Sequence, residues 1–122
     1  MTQLETQGLA AKNAARTLAV AGSARKDAAL EAIAAALERR MDEVLQANEQ
    51  DLSAARDAGM RQAMLDRLAL DRGRMAGIIA GVREVKALPD PIGQVTRMFN
   101  HPNGMTIGKR RVPLGVVGII YE

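Results

Sequence analysis

Over most of the first ninety residues, apolar side chains return at three- and four-residue intervals, which is helical spacing. From Gln3 to Ala21 the stripe is thin, with Leu4, Ala11, Ala15 and Leu18 as its members. Gly22-Ser23 interrupts it: Gly22 suits a left-handed helix end, and a Ser at 23 can cap the next helix by accepting a backbone N–H. The spacing of Leu30, Ile33, Ala34, Leu37, Met41, Val44 and Leu45 predicts one amphipathic helix from Arg25 to about Ala47. A shorter helix is expected over Asp51–Ala58, ended by Gly59, then a helical turn around Met64–Leu68. A last helix is expected from Asp71, a plausible N-cap, to Ala87, with Met75, Ile78, Ile79, Val82 and Val85 as its apolar face. Gly73, Gly77 and Gly81 recur along it, and because each interior Gly costs about 1 kcal/mol relative to Ala, they suggest close approach by another backbone.

The period changes at Leu88-Pro89-Asp90-Pro91-Ile92-Gly93, where two prolines stop the helix and force extended backbone. Val95–Phe99 alternates, His101-Pro102-Asn103-Gly104 is a turn, and Met105–Val112 returns as a second strand, so 94–112 reads as a β-hairpin. After Pro113 comes Gly115-Val116-Val117-Gly118-Ile119-Ile120-Tyr121-Glu122, an apolar run of the kind that lies inside a parallel sheet with both faces covered. Helices followed by one interior strand do not close a fold, because a buried lone strand leaves its N–H and C=O groups without partners. The chain is therefore expected to be a fragment, or the ordered part of a longer polypeptide.

Composition sharpens this picture. Of the 122 residues, 48% are hydrophobic and 25% charged, which describes a globular protein rather than a disordered one. Much of the apolar count is Ala, with one Phe, one Tyr and no Trp, so the core is thin and the helices are expected to lean on something larger. The absence of Cys excludes disulfides, thiolate metal sites and a Cys nucleophile within these residues. No apolar run reaches membrane-spanning length and the first residues do not read as a signal peptide, which makes the cytoplasm the expected location. Residues 1–90 carry 13 basic and 13 acidic side chains, whereas 91–122 carry Arg97, Lys109, Arg110 and Arg111 against Glu122. The excess of +3 thus sits in one tail, without a basic helix face or stacking aromatics, and this argues against nucleic-acid binding.

Candidate chemistry is sparse. Gly115-Val-Val-Gly118 lacks the third glycine, the following helix and the later acidic residue of a dinucleotide fingerprint. Gly108-Lys109 lacks the earlier glycine of a phosphate loop. His101 sits in a turn with no carboxylate partner and reads as solvated. Lys109-Arg110-Arg111 is the charge that guards a strand edge against aggregation, with phosphate binding as the other reading. The seven Met residues are core fillers, and no metal site is expected.

Several blocks taken together carry more. Asn48 and Asp51, the stretch Met64–Leu68 with Leu70, Leu88–Gly93 ("LPDPIG") and Pro102–Glu122 ("PNGMTIGKRRVPLGVVGIIYE") resemble the amino-terminal quarter of the γ-glutamyl phosphate reductase family, a branch of the aldehyde dehydrogenase superfamily. The resemblance covers essentially the whole chain. It implies an α/β, aldehyde dehydrogenase-like fold, of which 1–93 would be the helical lead-in to the cofactor-binding domain. Residues 94–112 would be an oligomerisation hairpin joining like subunits, and 113–122 the first strand of a Rossmann-like sheet. It implies NADPH-dependent reduction of L-glutamyl 5-phosphate to L-glutamate 5-semialdehyde and phosphate, in proline biosynthesis. A Cys beyond residue 122 would attack the acyl phosphate, and the thioester would accept hydride; a thiolate suits both attack and departure. No catalytic residue falls in this chain on that reading. Ile120, Tyr121 and Glu122 would lie along the cofactor, at the carboxyl end of their strand. The alternative is a stand-alone helical interaction module that oligomerises through its hairpin and catalyses nothing.

Overall fold

The computed structural model describes residues 2–120. Five helices precede one hairpin: α1 Gln3–Ala19, α2 Ser23–Arg39, α3 Met41–Asp57, α4 Gln62–Leu68, α5 Arg72–Ala87, β1 Val95–Asn100 and β2 Thr106–Arg110. The chain forms two compact units. One comprises residues 24–88; the other joins the segment up to residue 23 with everything from residue 89 onward.

The helical unit has a core of its own. Leu52, Ala55 and Leu65 bury together, with Leu68 and Ala69 packed against them. Met75, at 1% exposure, and Ile79 bury the inner face of α5, and Ala34 does the same for α2. Asn48 is the buried polar residue among those described, and both ends of its amide are bonded. Its Nδ2 donates to the Leu68 carbonyl at 2.9 Å and its Oδ1 accepts from the Leu70 N–H at 2.7 Å. It therefore substitutes for backbone partners where the chain leaves α4, and fixes that connection against α3.

Helix ends follow local chemistry. At the start of α1, Thr2 and Glu5 form a reciprocal capping box, which the sequence announces as Thr-x-x-Glu and which apolar spacing alone overlooks. Asp71 caps α5 as expected, accepting from the Arg74 N–H at 2.6 Å. At the end of α3, Gly59 adopts φ +76° and donates to the Arg56 carbonyl, while Met60 donates to Ala55. That pair of bonds is a Schellman ending, and it requires the glycine.

Several expectations are corrected here. The single helix over Arg25–Ala47 is two, broken at Arg40 (φ −106°, ψ 18°). The apolar spacing runs across the break, so periodicity could not show it; the charge could. Basic Arg39 closes α2 and acidic Asp42 and Glu43 open α3, the signs favoured at a helix C- and N-terminus respectively. α3 then continues through Asn48 to Asp57 instead of pausing before Asp51, because the Asn48 side chain is turned to the 68–70 backbone and does not compete for its own helix. Gly22 is not left-handed and Ser23 does not cap α2. α1 finishes two residues earlier with the Ala21 N–H on the Leu18 carbonyl, and the Ser23 hydroxyl donates to Asp90 at 3.1 Å. Finally, no backbone approaches the α5 glycines: Gly77 and Gly81 face open space, and a Cβ on Gly73 would meet only the Asp71 carboxylate.

In the other unit, α1 buries no residue. Pro91-Ile92-Gly93-Gln94 turns with Gly93 at φ +87°, the position that demands glycine in a type II turn. The hairpin is antiparallel, with Met98 opposite Gly108, Phe99 opposite Ile107, and a bulge between Val95 and Arg97. The Gly93 N–H and Arg111 carbonyl, and the Arg111 N–H and Gln94 carbonyl, extend the ladder below the strands. Gly104 supplies the left-handed residue of the His101–Met105 loop at φ +89°, and Asn103 has no positive φ. The turn is thus built on a type I pattern rather than the tight Asn-Gly I′ form. Every residue of both strands is exposed.

Candidate functional site

Three places could carry chemistry. The first is the apolar run at 113–122. Of its proposed cofactor residues, Ile120 is fully exposed, while Tyr121 and Glu122 lie outside the described residues. Gly115 is left-handed (φ +84°). No reaction step is assigned to these residues. Residues 112–120 form no strand and enter no backbone hydrogen bond among the described residues.

The second place is the charged hairpin. Residues alternate across a strand, so Arg97 and Phe99 share a face with their partners Lys109 and Ile107. The Arg97 guanidinium stacks over the Phe99 ring at 4.8 Å from its centre, a cation–π contact. Arg97, Lys109, Arg110 and Arg111 form no ion pair with a carboxylate among the described residues. The Arg110 side chain lies against Gly93, 3.2 Å from where a Cβ would stand. His101 remains a turn residue, its Nδ1 facing the Asn103 N–H at 3.4 Å.

The third place is an ion-pair cluster between α2 and α5, which the sequence reading did not single out. Arg83 bonds Glu38 at 2.7 Å and Glu31 at 3.2 Å, and Lys86 bonds Glu31 at 2.9 Å. The signal was available in spacing: Glu31 and Glu38 are seven apart on one helix face, Arg83 and Lys86 three apart on another. The Lys86 ammonium, and then Arg83, hold the Glu31 carboxyl below the usual range, and Arg83 does the same for Glu38. Both stay ionised at neutral pH and so cannot act as general acids. A shallow depression beside them is lined by Glu38, Met41, Ile79, Ala80, Arg83 and Glu84. The cluster therefore reads as a clamp between helices. Among the described residues, no group of His, Asp or Glu could hold a metal ion, and no helix is long and apolar enough to cross a membrane.

No model of a known protein family matches the chain. Individual proteins do. It is 49% identical over 120 residues to the γ-glutamyl phosphate reductase of Moorella thermoacetica, covering 98% of this chain and 29% of that one. It is 52% identical over 119 residues to the enzyme of that name from Xanthomonas campestris, with the same coverage. In structure it superposes on γ-glutamyl phosphate reductase from Thermotoga maritima with a TM-score of 0.86 at 32% identity, over 92% of this chain and 27% of the other. The Saccharomyces cerevisiae protein gives 0.80 at 26% identity, over 88% and 28%. The chain thus spans under a third of the length of the relatives it matches. In sequence and in fold it corresponds to the amino-terminal segment of the γ-glutamyl phosphate reductase family, with its aldehyde dehydrogenase-like architecture.

Proposed function

We propose that the chain serves, as the amino-terminal segment of a longer catalytic assembly, the NADPH-dependent reduction of L-glutamyl 5-phosphate to L-glutamate 5-semialdehyde and phosphate. The observation that carries this reading is near-50% identity across almost the entire chain to reductases of that name. In the net reaction the acyl carbon gains a hydride and loses phosphate, and NADPH becomes NADP. These residues contribute no acid, base or nucleophile to it. Their part is scaffolding: the helical unit supports the cofactor domain, and 113–122 supplies its first strand, with Ile120, Tyr121 and Glu122 along the cofactor. The hairpin 94–112 is a contact between like subunits, which its wholly exposed strands and uncovered Met98, Phe99 and Ile107 support.

A chimera tests the reading. This chain replaces the matching segment of the Moorella thermoacetica enzyme, and phosphate-dependent reduction of NADP by glutamate 5-semialdehyde is followed, the reverse of the proposed reaction. Retained activity is expected. A chimera that folds and oligomerises normally but is inert would overturn it.

A further inference from the structure

The hairpin turn His101-Pro102-Asn103-Gly104 holds a reactive pair that a scaffolding role does not use. The chain has four asparagines, and Asn103 alone is followed by glycine; Asn13, Asn48 and Asn100 precede Ala14, Glu49 and His101. The side-chain carbonyl carbon of an asparagine, Cγ, lies one five-membered ring away from the backbone nitrogen of the next residue. Joined in one chain, the two groups need no encounter, which is the advantage of an intramolecular reaction. At Gly104 that nitrogen has no adjoining Cβ to crowd its approach.

The fold separates the four asparagines further. Asn13 is held in the backbone of α1, and Asn48 in α3 has both ends of its amide bonded. Asn100 lies in β1, its Oδ1 accepting from the Thr106 hydroxyl at 3.0 Å. Asn103 lies between the strands, exposed, with its Oδ1 accepting from the Met105 N–H at 3.2 Å and its Nδ2 without a hydrogen bond among the described residues. The Met105 N–H draws electron density from Cγ and offers a donor for the negative charge that attack develops on Oδ1. The unbonded Nδ2 is the group that must leave. Ring closure gives up the bond from the Gly104 N–H to the His101 carbonyl at 2.9 Å, which water replaces in an exposed turn.

We propose that Asn103 is a site of spontaneous deamidation. The Gly104 nitrogen loses its proton and bonds to Asn103 Cγ. The Cγ–Nδ2 bond breaks, and ammonia leaves with that proton, so that a succinimide remains. Water then opens either imide carbonyl, giving aspartate or, with the main chain rerouted through Cγ, isoaspartate. No oxidant or reductant enters. Either product adds a carboxylate to 94–112, where Arg97, Lys109, Arg110 and Arg111 are the charged residues, and lowers the net charge there from +4 to +3. Isoaspartate also lengthens the backbone by one methylene between Asn100 and Thr106, the partners next to the turn. The inference rests on the chemistry of the turn and is independent of the proposed activity.

Peptide mapping by mass spectrometry reads the change after the 122-residue chain is held in mildly alkaline buffer. Replacement of the amide NH2 by OH should accumulate at Asn103 as a mixture of isoaspartate and aspartate, while Asn13, Asn48 and Asn100 stay intact. Gly104→Ala should slow the conversion severalfold. A Cβ at that position meets no atom within 4 Å, so the variant acts on the attacking nitrogen and not through a clash. Where that variant loses the hairpin, the products of the unaltered chain still decide, because isoaspartate arises only from the ring. No conversion at Asn103 in the folded chain overturns the proposal, since the turn would then hold the amide out of reach. So does aspartate without isoaspartate, which would mean direct hydrolysis. Equal conversion at Asn13 or Asn100 overturns it too, because the turn would then confer nothing.

Discussion

Residues 24–88 and residues 89–120 solve the same problem in opposite ways. The helical unit satisfies its backbone within each helix and buries Met75, Ile79, Leu52 and Leu65 against its own members. The later region satisfies its backbone only between β1 and β2, buries no side chain of either strand, and leaves 112–120 without a partner among the described residues. A helix closes its own hydrogen bonds, whereas a strand borrows its neighbour's. A chain that is sound in its helices and open in its strands has its unmet backbone hydrogen bonds, among the described residues, in the later region.

The sharpest way to break the contrast is to hollow the helical core. Met75→Ala should destabilise the helical unit by roughly 2–5 kcal/mol, seen as a lower denaturant midpoint at 222 nm. Asn48→Leu comes next. It strands the Leu68 carbonyl and the Leu70 N–H, at about 1–3 kcal/mol for each buried group left unsatisfied. The check is the same melt, with amide exchange at Leu70 rising most.

Gly104→Val probes the other side of the contrast. It forces a β-branched residue to φ +89°, at a cost of about 1–2 kcal/mol for a non-glycine residue in a left-handed conformation. Cross-strand contacts should weaken while the helical melt stays put. The smallest effect is electrostatic. Glu31 and Glu38 have pKa values depressed by Lys86 and Arg83, so their stabilisation is complete above the ordinary glutamate range and disappears as pH falls through the depressed values. The helical melting temperature should drop on acidification through that window, and Arg83→Met should flatten the drop. Because these pairs are about two-fifths exposed, salt should also shrink it.

How much the sequence could reveal follows the same division. The helices, the Asp71 cap, the Gly59 ending and the hairpin were legible, because each rests on residues close in the chain. The break at Arg40 was not, since Leu37, Met41 and Val44 keep helical spacing straight through it. Nor was the role of Asn48, whose partners lie some twenty residues away. The α5 glycines misled for a related reason: they were read as a sign of close packing, yet Gly77 and Gly81 meet nothing within the described chain. Of the proposed site, only Ile120 falls among the described residues, and its side chain is fully exposed.

Hydrogen exchange resolved by residue tests the central claim most directly. In dilute solution, amides of α3 and α5 should be protected and those of 114–120 should exchange at nearly unprotected rates. Protection of 114–120 in a dilute monomer would contradict the account, because those strand edges would then already be filled from within the chain.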